Sequence, residues 1–311
     1  MIKDNILQAV GDTPLVRLNR ITQGLDREIL VKVEGLNPSG SIKIRPALNM
    51  ILDAEEKGLL KEGYTIVEFT SGNQGIGLSL VAAVKGYKCI IVMPDCMSKE
   101  RINTMKAYGS EILLTPSTDN ITDTFFIAKS KAEELAASND KYFLAGQFAN
   151  HANSEAHYNT TGVEIAQQLG EITPDAFVAS IGTGGTITGT GRYLKEKFPN
   201  IKIFALEPSC AAILSGKMVS SHKQQGIGDG FIPDILDQDI YDEVLTVTDE
   251  EAYEVARKLA SEEGLFVGIS SGTNVAASIK AAKKLLKGSV IVTVLPDNGD
   301  RYLSVEGLFD I

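Results

Sequence analysis

Apolar residues fall along this chain in two alternating patterns. Short unbroken runs sit between polar or glycine-rich breaks, and longer stretches repeat their apolar positions with a helical period. The first pattern predicts strands buried on both faces, and the second predicts helices packed on one side. Strands are expected at 29–33, 65–69, 89–93, 111–114, 176–181, 201–206 and 290–295. Between them the spacing predicts helices over 46–57, 76–85, 99–108, 121–137, 154–169 and 187–197, with two more near 250–263 and 274–286 before the last strand. The 76–85 stretch is apolar nearly all round and should be buried. Alternation of this kind predicts α/β architecture, with largely parallel sheets covered by helices on both faces. At 311 residues, two domains are expected, and short polar segments place a boundary near Gly146.

Composition changes this picture little. Charged residues make up 23% and hydrophobic ones 43%, as in an ordinary globular protein, and the net charge is −10 with no block of Lys and Arg. Nucleic acid is therefore not an expected partner. No run reaches the roughly 18 apolar residues of a membrane span, and the first residues lack the basic and apolar segments of a signal peptide. The expected location is the cytoplasm. Cys89, Cys96 and Cys210 have neither zinc nor redox spacing, and the three histidines are scattered, so no metal site is expected. Cys89 lies inside an apolar run and reads as a small buried hydrophobe.

Candidate chemistry gathers where strands end, the rim at which open α/β sheets bind ligands. Gly182-Thr183-Gly184-Gly185-Thr186 joins a strand to a helix; three glycines in four positions let backbone N–H groups converge on an anion. A plain tight turn would need only one or two of them. Ile187 breaks the dinucleotide pattern GxGxxG, and Ser41 stands where a nucleotide-binding loop of Gly35–Gly40 spacing needs lysine. Thr70-Ser71-Gly72-Asn73-Gln74 follows a strand with hydroxyls, amides and a helix start able to clasp a carboxylate; simple helix capping would need one such residue. Asn37-Pro38-Ser39-Gly40-Ser41-Ile42-Lys43 carries a lysine to a helix start, the unfavourable end of the dipole for a cation. A partly desolvated amine there could form a Schiff base.

A lysine, a phosphate cradle without its own cation and a carboxylate clasp together suggest pyridoxal phosphate. These segments resemble those of the cysteine synthase (O-acetylserine sulfhydrylase) and cystathionine β-synthase family, the fold type II pyridoxal-phosphate enzymes. The likeness runs from Gly11-Asp12-Thr13-Pro14-Leu15 to Leu295-Pro296-Asp297 and includes Gln147-Phe148, Glu155-Ala156-His157-Tyr158, Gly226-Ile227-Gly228 and Gly268-Ile269-Ser270-Ser271-Gly272. The resemblance implies two three-layer αβα domains of the tryptophan synthase β-like type, with the cofactor in the cleft between them. It places a smaller mobile domain at 36–145 and a larger one at 1–35 and 146–311, revising the simple split at Gly146. It also implies a homodimer and roles for individual residues. Lys43 carries the cofactor and removes the α-proton, and Asn73 bonds the phenolic oxygen. Gly182, Thr183, Gly184, Gly185 and Thr186 hold the phosphate, and Ser270 faces the pyridine nitrogen. Thr70, Ser71, Asn73, Gln74 and Gln147 hold the substrate carboxylate. A neutral serine at the ring nitrogen makes a weaker electron sink than a carboxylate would allow, which favours β-elimination and β-replacement through an α-aminoacrylate.

Two positions depart from the family pattern. Asp229 stands where alanine is usual after Gly226-Ile227-Gly228, and Gln74 where threonine follows Asn73. Ile44, in place of the common aspartate after the lysine, reads as structural. An acid near the β-carbon could deprotonate water; a solvated turn aspartate between glycines is the plainer reading. On Asp229 the reading leans to release, in which L-cysteine and water give L-serine and hydrogen sulfide. The alternative is synthesis of L-cysteine from O-acetylserine (or phosphoserine) and sulfide. A third is a catalytically idle regulatory subunit that binds the cofactor, against which the intact Lys43, cradle and Ser270 argue.

Overall fold

The computed structural model describes residues 2–217 and 219–309. Its first half contains β1 (Leu15–Arg17), β2 (Glu28–Val33), α1 (Ile44–Glu56), β3 (Thr65–Phe69), α2 (Asn73–Lys85), β4 (Lys88–Pro94), α3 (Lys99–Ala107), β5 (Glu111–Thr115), α4 (Ile121–Ala137) and β6 (Tyr142–Leu144). The second contains α5 (Ala152–Ala156), a π-helical turn (His157–Gly162), α6 (Val163–Leu169), β7 (Ala176–Ser180), α7 (Gly185–Lys197), β8 (Lys202–Pro208), β9 (Glu243–Val247), α8 (Asp249–Glu263), α9 (Ile269–Ala282) and β10 (Val290–Leu295).

Two sheets result. A six-stranded sheet runs β1-β2-β10-β7-β8-β9, and a four-stranded sheet runs β5-β4-β3-β6. Every pairing is parallel except β1 with β2. Strand alternation sends successive side chains to opposite faces, and each face has its own core. Ile29, Val31, Val178, Phe204 and Ile291 pack under α8 and α9, whereas Leu30, Phe177, Ile203 and Val292 pack under α6 and α7. In the smaller sheet Ile66, Ile91 and Met93 meet α1, α2 and α3, and Val67, Phe69 and Val92 meet α4. Both units are thus three-layer αβα, as expected. Cys89 is buried in the first of these small-sheet cores, and burial pushes its thiol up to about 11. Ile44 is fully buried there as well, which makes it a packing residue. Among the described residues no helix is long and apolar enough to cross a membrane.

The expected single helix over 154–169 is broken by the π-helical turn His157–Gly162. Close approach of α7 accounts for the break: a Cβ on Gly189 would come 2.0 Å from Ser154 O and 2.9 Å from the His157 Cβ, and one on Gly162 would come 2.8 Å from Tyr193. Helix α9 begins at Ile269, five residues before the predicted start, so Ser270 stands in its first turn.

A buried ion network fastens α1 to the six-stranded sheet. Arg45 Nε and Nη2 donate to the Glu34 carboxylate at 2.7 and 2.8 Å, and Nη1 and Nη2 donate to that of Glu164 at 2.6 and 2.7 Å. Lys32, fully buried in β2, adds a 2.6 Å bond to Glu164. Against burial, which would raise it, Arg45 and Lys32 hold the Glu164 carboxyl down to about 2. Removing a cation from such a network strands buried carboxylates. Arg45→Met is therefore expected to cost about 3–5 kcal/mol of stability, read as a lowered urea midpoint.

Candidate active site

The carboxyl ends of both sheets open onto one cavity of ≈ 230 Å³. Chain segments leaving β3, β7 and β10 converge there, together with the start of α9 and the loop carrying Asp229. Every predicted site residue lines it except Gly185. Gly185 does other work: a Cβ there would lie 2.2 Å from Asn153 Oδ1, so the glycine lets α7 close onto α5.

Lys43 is the N-cap residue of α1 rather than part of its first turn. Its loop is tied to the end of β10: Ile42 N donates to Pro296 O at 2.8 Å, Ser41 bridges to Asp297, and Arg301 donates to Ser39 O. Among the described residues Lys43 has no ion-pair partner. Burial pushes its amine down to about 8, while the charges of Asp229 and Glu68 pull the other way. About a tenth of the amine is then neutral and nucleophilic at pH 7, far more than for an ordinary lysine.

The glycine segment after β7 has the features of an anion cradle. Gly184 adopts φ +81 as the N-cap of α7, and a Cβ on Gly182 would fall 2.5 Å from Gly226 O. The N–H groups of Thr183, Gly184, Thr186 and Ile187 meet no acceptor among the described residues. Thr183 Oγ1 accepts from Asn153 Nδ2 at 3.2 Å, and Thr186 Oγ1 lies 3.4 Å from His157 Nε2. Burial, with Lys43 and Arg45 nearby, drives the His157 pKa well below its ordinary value, so the ring is neutral. No lysine or arginine belongs to the cradle, in keeping with a dianion held by helix dipole and N–H groups.

The turn after β3 is tied to Gln147 through Glu68 and Phe69. Glu68, fully buried, accepts from Phe69 N at 2.9 Å and Gln147 N at 3.0 Å, and Gln147 Nε2 donates to Phe69 O at 3.1 Å. Burial lifts the Glu68 carboxyl to about 8, against the N–H donors of Gln147 and Phe69. Thr70 Oγ1 accepts from Gly72 N at 3.1 Å. Gln74 is 1% exposed, and neither its Nε2 nor its Oε1 has a partner among the described residues. Asn73 donates to Asp297 Oδ2 at 2.6 Å and accepts from Arg301, leaving one amide N–H to spare; Tyr302 donates to the same Asp297 oxygen at 2.6 Å. Ser270 lines the cavity as well.

Asp229 is half-buried in the same wall, not a solvated turn residue. Burial raises its carboxyl pKa, with His222 and Lys43 opposing. His222 Nδ1 accepts from Gln224 N at 3.1 Å and Nε2 lies 3.0 Å from Gly228 O, which makes Nε2 the protonated nitrogen and fixes the turn. Around this wall Phe69, Phe125, Phe148 and Phe231 pack with ring centroids 4.5–5.5 Å apart. Sequence reasoning did not pick out Glu68, Arg101, Asp297, Arg301 or Tyr302. Glu68, an acid inside an otherwise apolar strand, was the one with a visible signal.

An amine of lowered pKa in one cavity with a glycine turn of unpartnered N–H groups fits pyridoxal phosphate, and comparison with known proteins agrees. The family described as pyridoxal-phosphate dependent enzyme matches residues 6–297. The chain belongs to this family. A probable cysteine synthase of Bacillus subtilis is 49% identical over 304 residues, covering 97% of this chain and 96% of that protein. Among solved structures, O-ureido-L-serine synthase superposes with a TM-score of 0.94 at 41% identity, covering 100% of this chain and 98% of that one. A hydrogen sulfide-producing enzyme from Fusobacterium nucleatum superposes with a TM-score of 0.91 at 42% identity, covering 97% of this chain and all of that one. The protein is thus a fold type II pyridoxal-phosphate enzyme of the cysteine synthase and cystathionine β-synthase group. It performs β-replacement or β-elimination on a small amino acid. An idle regulatory subunit is not supported.

The Lys43 amine sets one pH dependence. Only a neutral amine can capture an aldehyde, and the folded pKa of Lys43 is depressed to about 8. Uptake of pyridoxal phosphate by apoenzyme should rise about tenfold per pH unit below that value and level off above it. Stopped-flow absorbance checks this; a rise continuing to pH 10 would mean an ordinary surface lysine.

Proposed function

We propose that the enzyme joins hydrosulfide to the β-carbon of an O-acylated L-serine, making L-cysteine and releasing the acyl group as a carboxylate. The observation that carries this reading is the 49% identity, along nearly the whole chain, to a probable cysteine synthase. It reverses the lean toward sulfide release that Asp229 suggested in the sequence. Pyridoxal phosphate, when bound, supplies the electron sink that acidifies the α-carbon and loosens the β-substituent.

The chain's own residues would do the rest. Lys43 Nζ holds the cofactor and, once displaced by the substrate amine, takes the α-proton. The backbone of Gly182, Thr183, Gly184 and Thr186 holds the phosphate, with Gly185 setting the approach of α7. Asn73 donates its spare N–H to the ring oxygen, and Ser270 faces the ring nitrogen without forcing its protonation. Thr70, Ser71, Gln74 and Gln147 hold the amino-acid carboxylate, and residues 36–145 close over it as a body, excluding bulk water. We expect the functional unit to be a homodimer.

Asp229 supports a second reading, in which L-cysteine and water give L-serine and hydrogen sulfide. An acid of raised pKa in the cavity wall beside Lys43 suits the base for attacking water. The solved hydrogen sulfide-producing relative favours it too. Holoenzyme should be given O-acetylserine with sulfide and, separately, L-cysteine alone, with products identified by mass spectrometry. Faster cysteine formation is expected; faster release of sulfide from cysteine would transfer the assignment to the second reading.

A further inference from the structure

The cavity holds a second cation that the proposed roles leave unused. Arg101, in α3, is 3% exposed and lines the same wall as Lys43. Among the described residues no carboxylate lies within ion-pairing distance of it. Among the described residues its one side-chain hydrogen bond is from Nη1 to Ser71 O at 3.3 Å, and Nε has no acceptor. The guanidinium carbon sits 5.1 Å from the centroid of the Tyr302 ring. Its stem lies flat on Gly72: a Cβ there would come 2.3 Å from Cδ and 2.9 Å from Nε. Two residues further on, Gln74 is buried with both amide atoms unpaired.

A buried guanidinium without a counter-charge is costly, and burying an amide without partners adds to the cost. Both costs are met when an anion enters. Nη2, which has no hydrogen bond among the described residues, can give an entering carboxylate a charge-assisted bond. That nitrogen belongs to a side chain bonded to Ser71 and packed on Gly72, in the middle of the Thr70–Gln74 turn. We propose that Arg101 is the cationic member of the carboxylate clasp, pairing with the α-carboxylate of the amino-acid substrate while Gln74 completes the hydrogen bonds. The aromatic face of Tyr302 holds the guanidinium in place from the opposite sheet. The inference rests on the enzyme's action on a small amino acid and is independent of which way sulfide moves.

The test uses a ligand that binds without turnover. L-Alanine lacks a β-leaving group, and L-alaninamide also lacks the carboxylate charge. Holoenzymes of the parent, Arg101→Met and Arg101→Lys are titrated with each, following the visible band of the cofactor. The parent should prefer L-alanine over the amide. Arg101→Met, which keeps the stem, should lose about 10- to 100-fold of that preference through weaker alanine binding alone. Arg101→Lys should recover part of it, because a positive charge returns without the guanidinium's fixed geometry. An unchanged preference in Arg101→Met, or equal losses in both variants, would overturn the assignment and leave Arg101 a packing residue. No β-chemistry occurs in this assay, so failure of the proposed reaction leaves its outcome untouched.

Discussion

Lys43→Ala should lower kcat/KM for β-replacement by at least about 10³-fold, because in the proposed mechanism one amine would both hold the cofactor and move the α-proton. Fold and stability should be nearly untouched, since Lys43 makes no ion pair among the described residues and its burial depresses its pKa. Lys43→Arg should not rescue activity: a guanidinium stays protonated and cannot serve as nucleophile or base. Phosphate-dependent binding of the cofactor should survive both substitutions, because the cradle after β7 is separate from the lysine loop. Loss of cofactor binding together with activity would instead make Lys43 the main anchor.

Asp229→Asn has the second large effect, and it divides the two β-reactions. The substitution keeps shape and removes the charge that Lys43 and His222 feel. Sulfide release from L-cysteine, which needs a base for water, should fall by about 10²–10⁴-fold. Cysteine formation should persist or improve, because hydrosulfide is already an anion and the neutral amide repels it less. Both rates come from one assay pair, sulfide evolved and cysteine formed. Equal retention of the two would show that Asp229 takes no part in water activation.

Much of the fold was legible because buried parallel strands must be continuously apolar. The runs at 65–69 and 290–295 match β3 and β10 residue for residue. What escaped were elements whose reasons lie in tertiary contacts. β9 is an edge strand with Glu243 and Thr246 partly exposed, so no apolar run marks it. The start of α9 reads Ile269-Ser270-Ser271-Gly272, poor helix formers locally. Helix forms there because Gly272 must sit against α8, where a Cβ would come 2.1 Å from Ala252 O. The π turn at His157–Gly162 likewise answers to the close packing of α7.

The site was legible where glycine, hydroxyl and amide residues cluster against an apolar background, as at 70–74 and 182–186. It was illegible where the chemistry comes from one residue in a segment of another character. Arg101 lies among Lys99, Glu100 and Lys106 in a helix that looks like a solvent face, and only its packing on Gly72 and Tyr302 reveals otherwise. Asp297 and Arg301 come from beyond the last strand and reach the site only because β10 ends beside the lysine loop. Asp229 was visible as a departure. Its place in the cavity wall needed the fold.

Lys43 and the glycine turn after β7 share one cavity, and a covalent label shows whether this lysine carries the cofactor. Holoenzyme should be reduced with borohydride, digested, and sequenced by mass spectrometry for the phosphopyridoxyl group. The group is expected on the Nζ of Lys43, within the peptide that follows Asn37-Pro38-Ser39-Gly40-Ser41. Its recovery on any other lysine, or no covalent label in protein that binds the cofactor, would contradict the account.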